Sequence, residues 1–130
     1  MNNGTLMIVE DNREICAFYE LLFSINGYSV VCKASNGDEA VEFYRRAREY
    51  PEIIVMDYRM PLKDGINTSR EILQINPKQV IIFVSADSTI KERAEELGIV
   101  QFIEKPFEMD YLLNSLKKAL IVARNREISP

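Results

Sequence analysis

Ile53-Ile54-Val55-Met56-Asp57-Tyr58-Arg59-Met60-Pro61 is the stretch on which the fold turns. Four apolar residues in a row leave no polar face, so a strand made from them must be covered on both sides. The run stops on a carboxylate, and Tyr58-Arg59-Met60-Pro61 after it is not a helix start. On either side of this stretch, β-type runs recur at Leu6–Val9, Tyr28–Cys32, Val80–Val84 and Gln101–Ile103. Their starts are spaced by about one strand plus one crossover helix.

The intervening segments carry helical spacing. Ile15, Phe18, Leu22 and Ile25 step by three or four, and Gly27 stands where a glycine ends a helix. Asn36 is placed to cap a second helix with an inner face of Ala40, Tyr44 and Ala47, and Pro51 lies beyond its end. A third helix runs from Gly65 or Ile66 to before Pro77. A fourth has Ser88 near its cap, then Ile90, Ala94 and Leu97, then Gly98. Met109, Leu112, Leu113, Leu116, Leu120 and Ala123 form the stripe of a fifth, and the polar end Arg124–Pro130 is expected to fray. Strand–helix alternation repeated five times predicts an α/β fold, a mostly parallel sheet with helices on both faces.

Composition narrows the chemistry. The chain has 130 residues, a net charge of −4 and no histidine. Ser-His-Asp and Cys-His nucleophiles, His-ligated zinc and proximal-His haem are therefore excluded. A pI near 5.0 argues against non-specific nucleic-acid binding. Two cysteines, Cys16 and Cys32, make a poor disulfide framework and are expected to be buried free thiols. No apolar run approaches the ~20 residues of a membrane span, and the start lacks a basic segment before a long apolar one. A cytoplasmic chain forming one domain, 1–130 with a core of about 6–122, is the expectation.

The strand ends hold the chemistry. The first strand stops at Glu10-Asp11 and the third at Asp57. If these strands are neighbours, three carboxylates converge and disfavour one another's ionised forms. Bound cations or helix capping would explain them. Capping suits Asp11, which precedes a helix, but not Asp57. The fourth strand ends at Ser85-Ala86 and the fifth is followed by Lys105-Pro106, so a hydroxyl and an ammonium reach the same edge. Hard oxygen ligands with open positions suit Mg²⁺. Carboxylate, divalent metal, lysine and hydroxyl together can handle a phosphoryl group, with one carboxylate as nucleophile.

Taken in order, Val9-Glu10-Asp11-Asn12, Met56-Asp57-Tyr58-Arg59-Met60-Pro61-Leu62-Lys63-Asp64-Gly65, Val84-Ser85-Ala86 and Lys105-Pro106-Phe107 resemble the receiver domain of two-component response regulators, the CheY-like family. The resemblance runs from about Leu6 to Leu120. It implies a flavodoxin-like (βα)5 three-layer sandwich, a parallel five-stranded sheet in the order 2-1-3-4-5. It also implies that Asp57 is the phosphorylation site, fed by a partner histidine kinase or histidine phosphotransfer protein. Asp11, Asp57 and the Arg59 backbone carbonyl would bind Mg²⁺, with Glu10 helping through water. Lys105 would pair with the phosphoryl group and Ser85 would swing toward it. Phe102 matches the switch aromatic, with no phenol to hydrogen-bond.

Arg59, Asp87 and Ala86 would border the pocket, and the opposite charges of Arg59 and Asp87 could pair across its mouth. Partners would meet the face formed by the fourth helix, fifth strand and fifth helix, with no direct nucleic-acid or membrane contact. The outcome would be a phosphorylation-driven switch rather than a multiple-turnover enzyme. A flavin protein of similar fold would need a Ser/Thr/Gly-rich phosphate loop where Glu10-Asp11 stand. An Asp-nucleophile phosphatase would need a second Asp where Arg59 stands. The remaining alternative is a pseudo-receiver, a binding module that works without phosphorylation.

Overall fold

In the computed structural model, which describes residues 3–128, the apolar runs form β1 (Gly4–Val9), β2 (Tyr28–Ala34), β3 (Ile53–Asp57), β4 (Val80–Ser85) and β5 (Gln101–Glu104). All pairings are parallel and the order is β2-β1-β3-β4-β5. The helices are α1 (Arg13–Ile25), α2 (Gly37–Arg46), α3 (Gly65–Ile75), α4 (Lys91–Glu96) and α5 (Met109–Ile128), with a 3₁₀ turn at Ser88–Ile90 before α4.

The continuous runs supply both faces of the sheet by alternation. Leu6, Ile8, Ile53, Val55, Val80, Ile82 and Val84 join Tyr19, Leu22 and Phe23 of α1 and Leu112, Leu116 and Ala119 of α5. Met7, Val9, Ile54, Met56, Ile81 and Phe83 meet α2, α3 and Ile90 and Ala94. The result is a three-layer sandwich. β1 and β3 lie side by side, so the chain's crossovers leave in opposite directions from between them, and the C-terminal ends of these strands open on a crevice.

Local signals set several boundaries. Asn36 Oδ1 accepts from the Glu39 N–H at 2.8 Å, capping α2. Gly27, at φ 87°, follows the end of α1.

The structure corrects other expectations. The buried face of α1 is Tyr19, Leu22 and Phe23; Phe18 and Ile25 are exposed. Apolar residues occupy two faces of that helix, and spacing alone does not choose between them. Ala47 ends α2 half-buried, its place in the core taken by Val41. Met109 is exposed, while Ala119 completes the inner face of α5. Ser88 does lie beside a cap, but Asp87 caps a 3₁₀ turn, and α4 follows from it without a side-chain cap of its own. Cys16 and Cys32 are free but half-buried, on opposite faces of the sheet. The segment 124–128 continues α5 as helix. Arg124 Nε donates to Glu52 at 3.1 Å and Arg126 donates to the Lys78 and Gln79 carbonyls, which tie the end of α5 to the residues just before β3 and β4. Residues 129–130 lie outside the described residues.

Candidate functional site

Glu10, Asp11 and Asp57 each bring a carboxylate oxygen to within 4.8 Å of the others at the C-terminal edge of β1 and β3. None of the three caps a helix. Asn12 takes that role for α1, its Oδ1 accepting from the Ile15 N–H at 3.0 Å, and its own N–H donates to Glu10 Oε2 at 3.0 Å. The capping explanation of Asp11 therefore lapses, which leaves the cation.

Glu10 is 4% exposed, and its second oxygen, Oε1, is buried without a hydrogen bond. The nearest ammonium is Lys105 Nζ at 3.8 Å, beyond hydrogen-bonding reach. Burial, followed by the Asp57 charge, pushes the Glu10 carboxyl up from 4.5 to about 7, against the Asn12 N–H and Lys105. Burial also raises Asp57, with Asp11 adding to the rise and Lys105 opposing it. An orphaned buried carboxylate oxygen beside two more carboxylates is what a hard divalent cation would satisfy. Glu10, Asp11 and Asp57 fit Mg²⁺ by their donor type.

The other strand ends close the rim. Ser85 is 2% exposed, and its Oγ accepts from the Asp87 N–H at 3.0 Å. The Lys105 N–H donates to the Ser85 carbonyl at 2.9 Å, which holds the ends of β4 and β5 together. The Lys105–Pro106 peptide bond is cis. Ala86 is exposed beside this junction. Arg59 and Asp87 approach to 3.9 Å, with the Arg59 side chain 82% exposed. The hydroxyl and N–H of Thr89 are the main cause of the lowered Asp87 pKa, and Arg59 adds less.

Phe102 is half-buried, facing the α2–α3–α4 side, and stacks on Phe83 with ring centroids 6.4 Å apart. Below it, Phe102, Glu104, Pro106, Phe107, Glu108 and Tyr111 line a cleft of about 430 Å³.

Two features escaped the sequence. Arg93 of α4 donates to the Tyr58 hydroxyl at 3.3 Å, a second bridge from the loop after Asp57 to the α4 side. Gly65 starts α3 so close to the end of β3 that a Cβ there would lie 2.1 Å from the Asp57 carbonyl oxygen. The Asp64-Gly65 pair after the loop was the available signal for that approach, while nothing local pairs Tyr58 with Arg93.

Residues 6–117 match the family described as the response regulator receiver domain. The chain belongs to that family. This receiver domain is 35% identical to the chemotaxis protein CheY of Bacillus subtilis over 117 residues, 88% of its length and 96% of the relative's. It is 36% identical to a protein-glutamate methylesterase/protein-glutamine glutaminase of Hahella chejuensis. That match spans 95% of this chain but only 32% of the relative. The fold is shared with a CheY-like receiver domain of Methanospirillum hungatei, at a TM-score of 0.85 and 18% identity over 94% of this chain and 97% of that one. Receiver domains serve two-component signalling, bind Mg²⁺ at an acidic pocket, and interact with histidine kinases and downstream partners. Among the described residues, no helix is long and apolar enough to cross a membrane.

Proposed function

We propose that this chain is a phosphorylation-activated switch in which Asp57 takes a phosphoryl group from a phosphohistidine of a partner kinase or phosphotransfer protein. The observation that carries this reading is the convergence of Glu10, Asp11 and Asp57 within 4.8 Å, with one of the Glu10 oxygens buried and unpaired. An Asp57 oxygen attacks phosphorus, the P–N bond breaks, and the imidazole leaves with its electron pair and is protonated. Mg²⁺, when bound, supplies charge to the phosphoryl oxygens and relieves the carboxylates of their mutual repulsion.

Asp11, Asp57 and the Arg59 carbonyl would hold the metal, and Glu10 would help through water. Lys105 leaves Glu10 for the new phosphoryl oxygens. Ser85 gives up the Asp87 N–H and donates its hydroxyl to the same group. Phe102, which offers only packing, moves into the space Ser85 vacates. The phosphoryl group adds about −1.5 to −2 of charge, enough to bias a two-state surface. The cleft between β5 and α5 and the short α4 form the surface that a downstream protein or output domain reads. Arg59, Asp87 and Ala86 line the way in for hydrolytic water, so this domain turns over once per phosphorylation and resets slowly. Its setting is the cytoplasm, where such kinases present their phosphohistidine.

Incubation with a small phospho-donor and Mg²⁺, followed by intact mass, tests the reading. The wild type gains one phosphoryl group and Asp57→Asn gains none. A wild type that gains none, and that binds no phosphoryl analogue, is a pseudo-receiver. Arg59→Ala and Asp87→Ala change the phosphoryl lifetime. If both lifetimes match the wild type, the rim has no gate.

A further inference from the structure

The loop that leaves Asp57 is closed at its base and pinned at its tip. At the base, the Gly65 N–H donates to the Tyr58 carbonyl at 2.8 Å. At the tip, the Lys63 N–H donates to the Pro61 carbonyl at 2.8 Å, which puts Leu62 between them at φ 72°. Leu62 is 95% exposed, so no packing of its own supports this left-handed conformation. A non-glycine residue held there persists only where its surroundings over-determine it.

Lys63 supplies that restraint. Its ammonium pairs with Asp38 in the first turn of α2 at 2.9 Å and with Glu71 of α3. Its side chain is only 22% exposed. The stem is gripped as well. A Cβ on Gly37, at the start of α2, would fall 2.2 Å from Thr68 Oγ1 of α3, 3.0 Å from Lys63 Cδ and 3.1 Å from Lys63 Cβ. The glycine lets α2 close on α3, with the lysine stem packed at the edge of that contact. The hydrogen bonds that the Lys63 ammonium donates to Glu71 and Asp38 raise its pKa, so the clamp keeps its charge at neutral pH.

We propose that Lys63 is a positioning residue: its ion pairs to Asp38 and Glu71 fix the tip of the acceptor loop, and so fix the Arg59 carbonyl and the loop amides offered to the metal and phosphoryl group at Asp57. The inference rests on the reading of Asp57 as phosphoryl acceptor. It adds a tie between α2 and the site that is independent of the pocket's own charges. Loss of the clamp leaves Asp57, Asp11 and Glu10 in place but lets the loop between them and α3 open locally.

The test uses the full chain without metal, ¹⁵N-labelled, as wild type, Lys63→Met and Lys63→Arg. Amide exchange at positions 63 and 65 reports the tip and the base of the loop, and the amides of Val55 and Ile82 report the core. Mg²⁺ affinity is measured by calorimetry on the same proteins. Lys63→Met is expected to speed exchange at 63 and 65 by about tenfold relative to the core, and to weaken Mg²⁺ binding by about threefold to tenfold. Lys63→Arg, which can span both carboxylates, restores both. Added KCl speeds exchange at 63 and 65 in the wild type and does nothing in Lys63→Met.

If exchange at 63 and 65 moves only in step with the core, or if Mg²⁺ affinity is unchanged, Lys63 is a tie between helices and the proposal fails. If Lys63→Met does not fold, Asp38→Asn is scored in the same way. A wild type that shows the clamp but gains no phosphoryl group overturns the acceptor reading alone. A wild type that is phosphorylated while Lys63→Met binds Mg²⁺ normally overturns the clamp alone.

Discussion

At the amino end of the sheet, Tyr44 donates its hydroxyl to Gln79 Oε1 at 2.7 Å, and Asn76 donates to the same hydroxyl at 2.9 Å. Gln79 Nε2 donates to the Val80 carbonyl, Thr5 and Glu52 exchange two hydrogen bonds, and Arg124 holds the other Glu52 oxygen. At the carboxyl end, three carboxylates crowd together, the buried Glu10 Oε1 has no hydrogen bond, and the one lysine beside it stands at 3.8 Å. Both ends bury polar atoms. One end satisfies them with the chain's own groups, and at the other Glu10 Oε1 has no hydrogen-bond partner. A fold tolerates such a deficit only locally, because an unpaired buried group costs about 1–3 kcal/mol. The amino end therefore forms a self-contained polar network, and the carboxyl end is the site proposed to bind.

The contrast between the two ends is tested hardest at Gly65. A methyl group there meets the Asp57 carbonyl at 2.1 Å, and backbone has to move to admit it. Gly65→Ala is expected to cost about 3 kcal/mol in denaturant unfolding and to abolish Mg²⁺ binding, because the displaced group is the backbone of Asp57 itself.

Next in size is a pair of changes with opposite sign. Tyr44→Phe leaves Gln79 Oε1 without its donor and Asn76 without an acceptor. It should destabilise by about 1–3 kcal/mol and leave Mg²⁺ affinity unchanged. Glu10→Gln removes a buried like charge at the other end and should stabilise the metal-free protein at pH 8 by about 1–3 kcal/mol, while weakening Mg²⁺ binding.

The pH dependence carries the same sign. Glu10 sits at about 7 in the folded chain against an ordinary 4.5. Between those values the folded state holds a proton that the unfolded state has released. The metal-free protein should therefore lose stability as pH rises from about 4.5 to about 7, a slope that flattens in Glu10→Gln. Mg²⁺ affinity should rise over the same window, since the cation displaces that proton.

The smallest effect concerns Ser69 of α3, whose buried hydroxyl has no hydrogen-bond partner. Ser69→Ala should be neutral or stabilise by less than about 1 kcal/mol, with Mg²⁺ binding intact. A clear loss of binding there would show that unpaired groups do not single out the carboxyl end.

Much of this contrast was legible in the sequence. Strands buried on both faces read as unbroken apolar runs, and parallel strands put all their C-terminal residues on one edge, so Glu10, Asp11, Asp57, Ser85 and Lys105 could be grouped from the sequence alone. The features that stayed hidden depend on contacts distant in sequence. The face of α1 that turns inward is chosen by the sheet and α5, not by spacing. The last turn of α5 is held by Glu52 and by carbonyls at 78 and 79. Lys63 finds Asp38 across the α2–α3 interface, and Arg93 finds Tyr58 only once α4 has packed. Local rules read caps and runs, and they do not read pairings across tens of residues.

The most direct test of the contrast is the effect of Mg²⁺ on unfolding of the metal-free wild type at pH 8, beside Asp57→Asn and against a KCl control of equal ionic strength. A cation that fills the deficit stabilises the folded state in proportion to its occupancy. A saturable rise in wild-type stability with Mg²⁺, absent with KCl and diminished in Asp57→Asn, is the predicted result. A wild type that responds no more to Mg²⁺ than to KCl would contradict it.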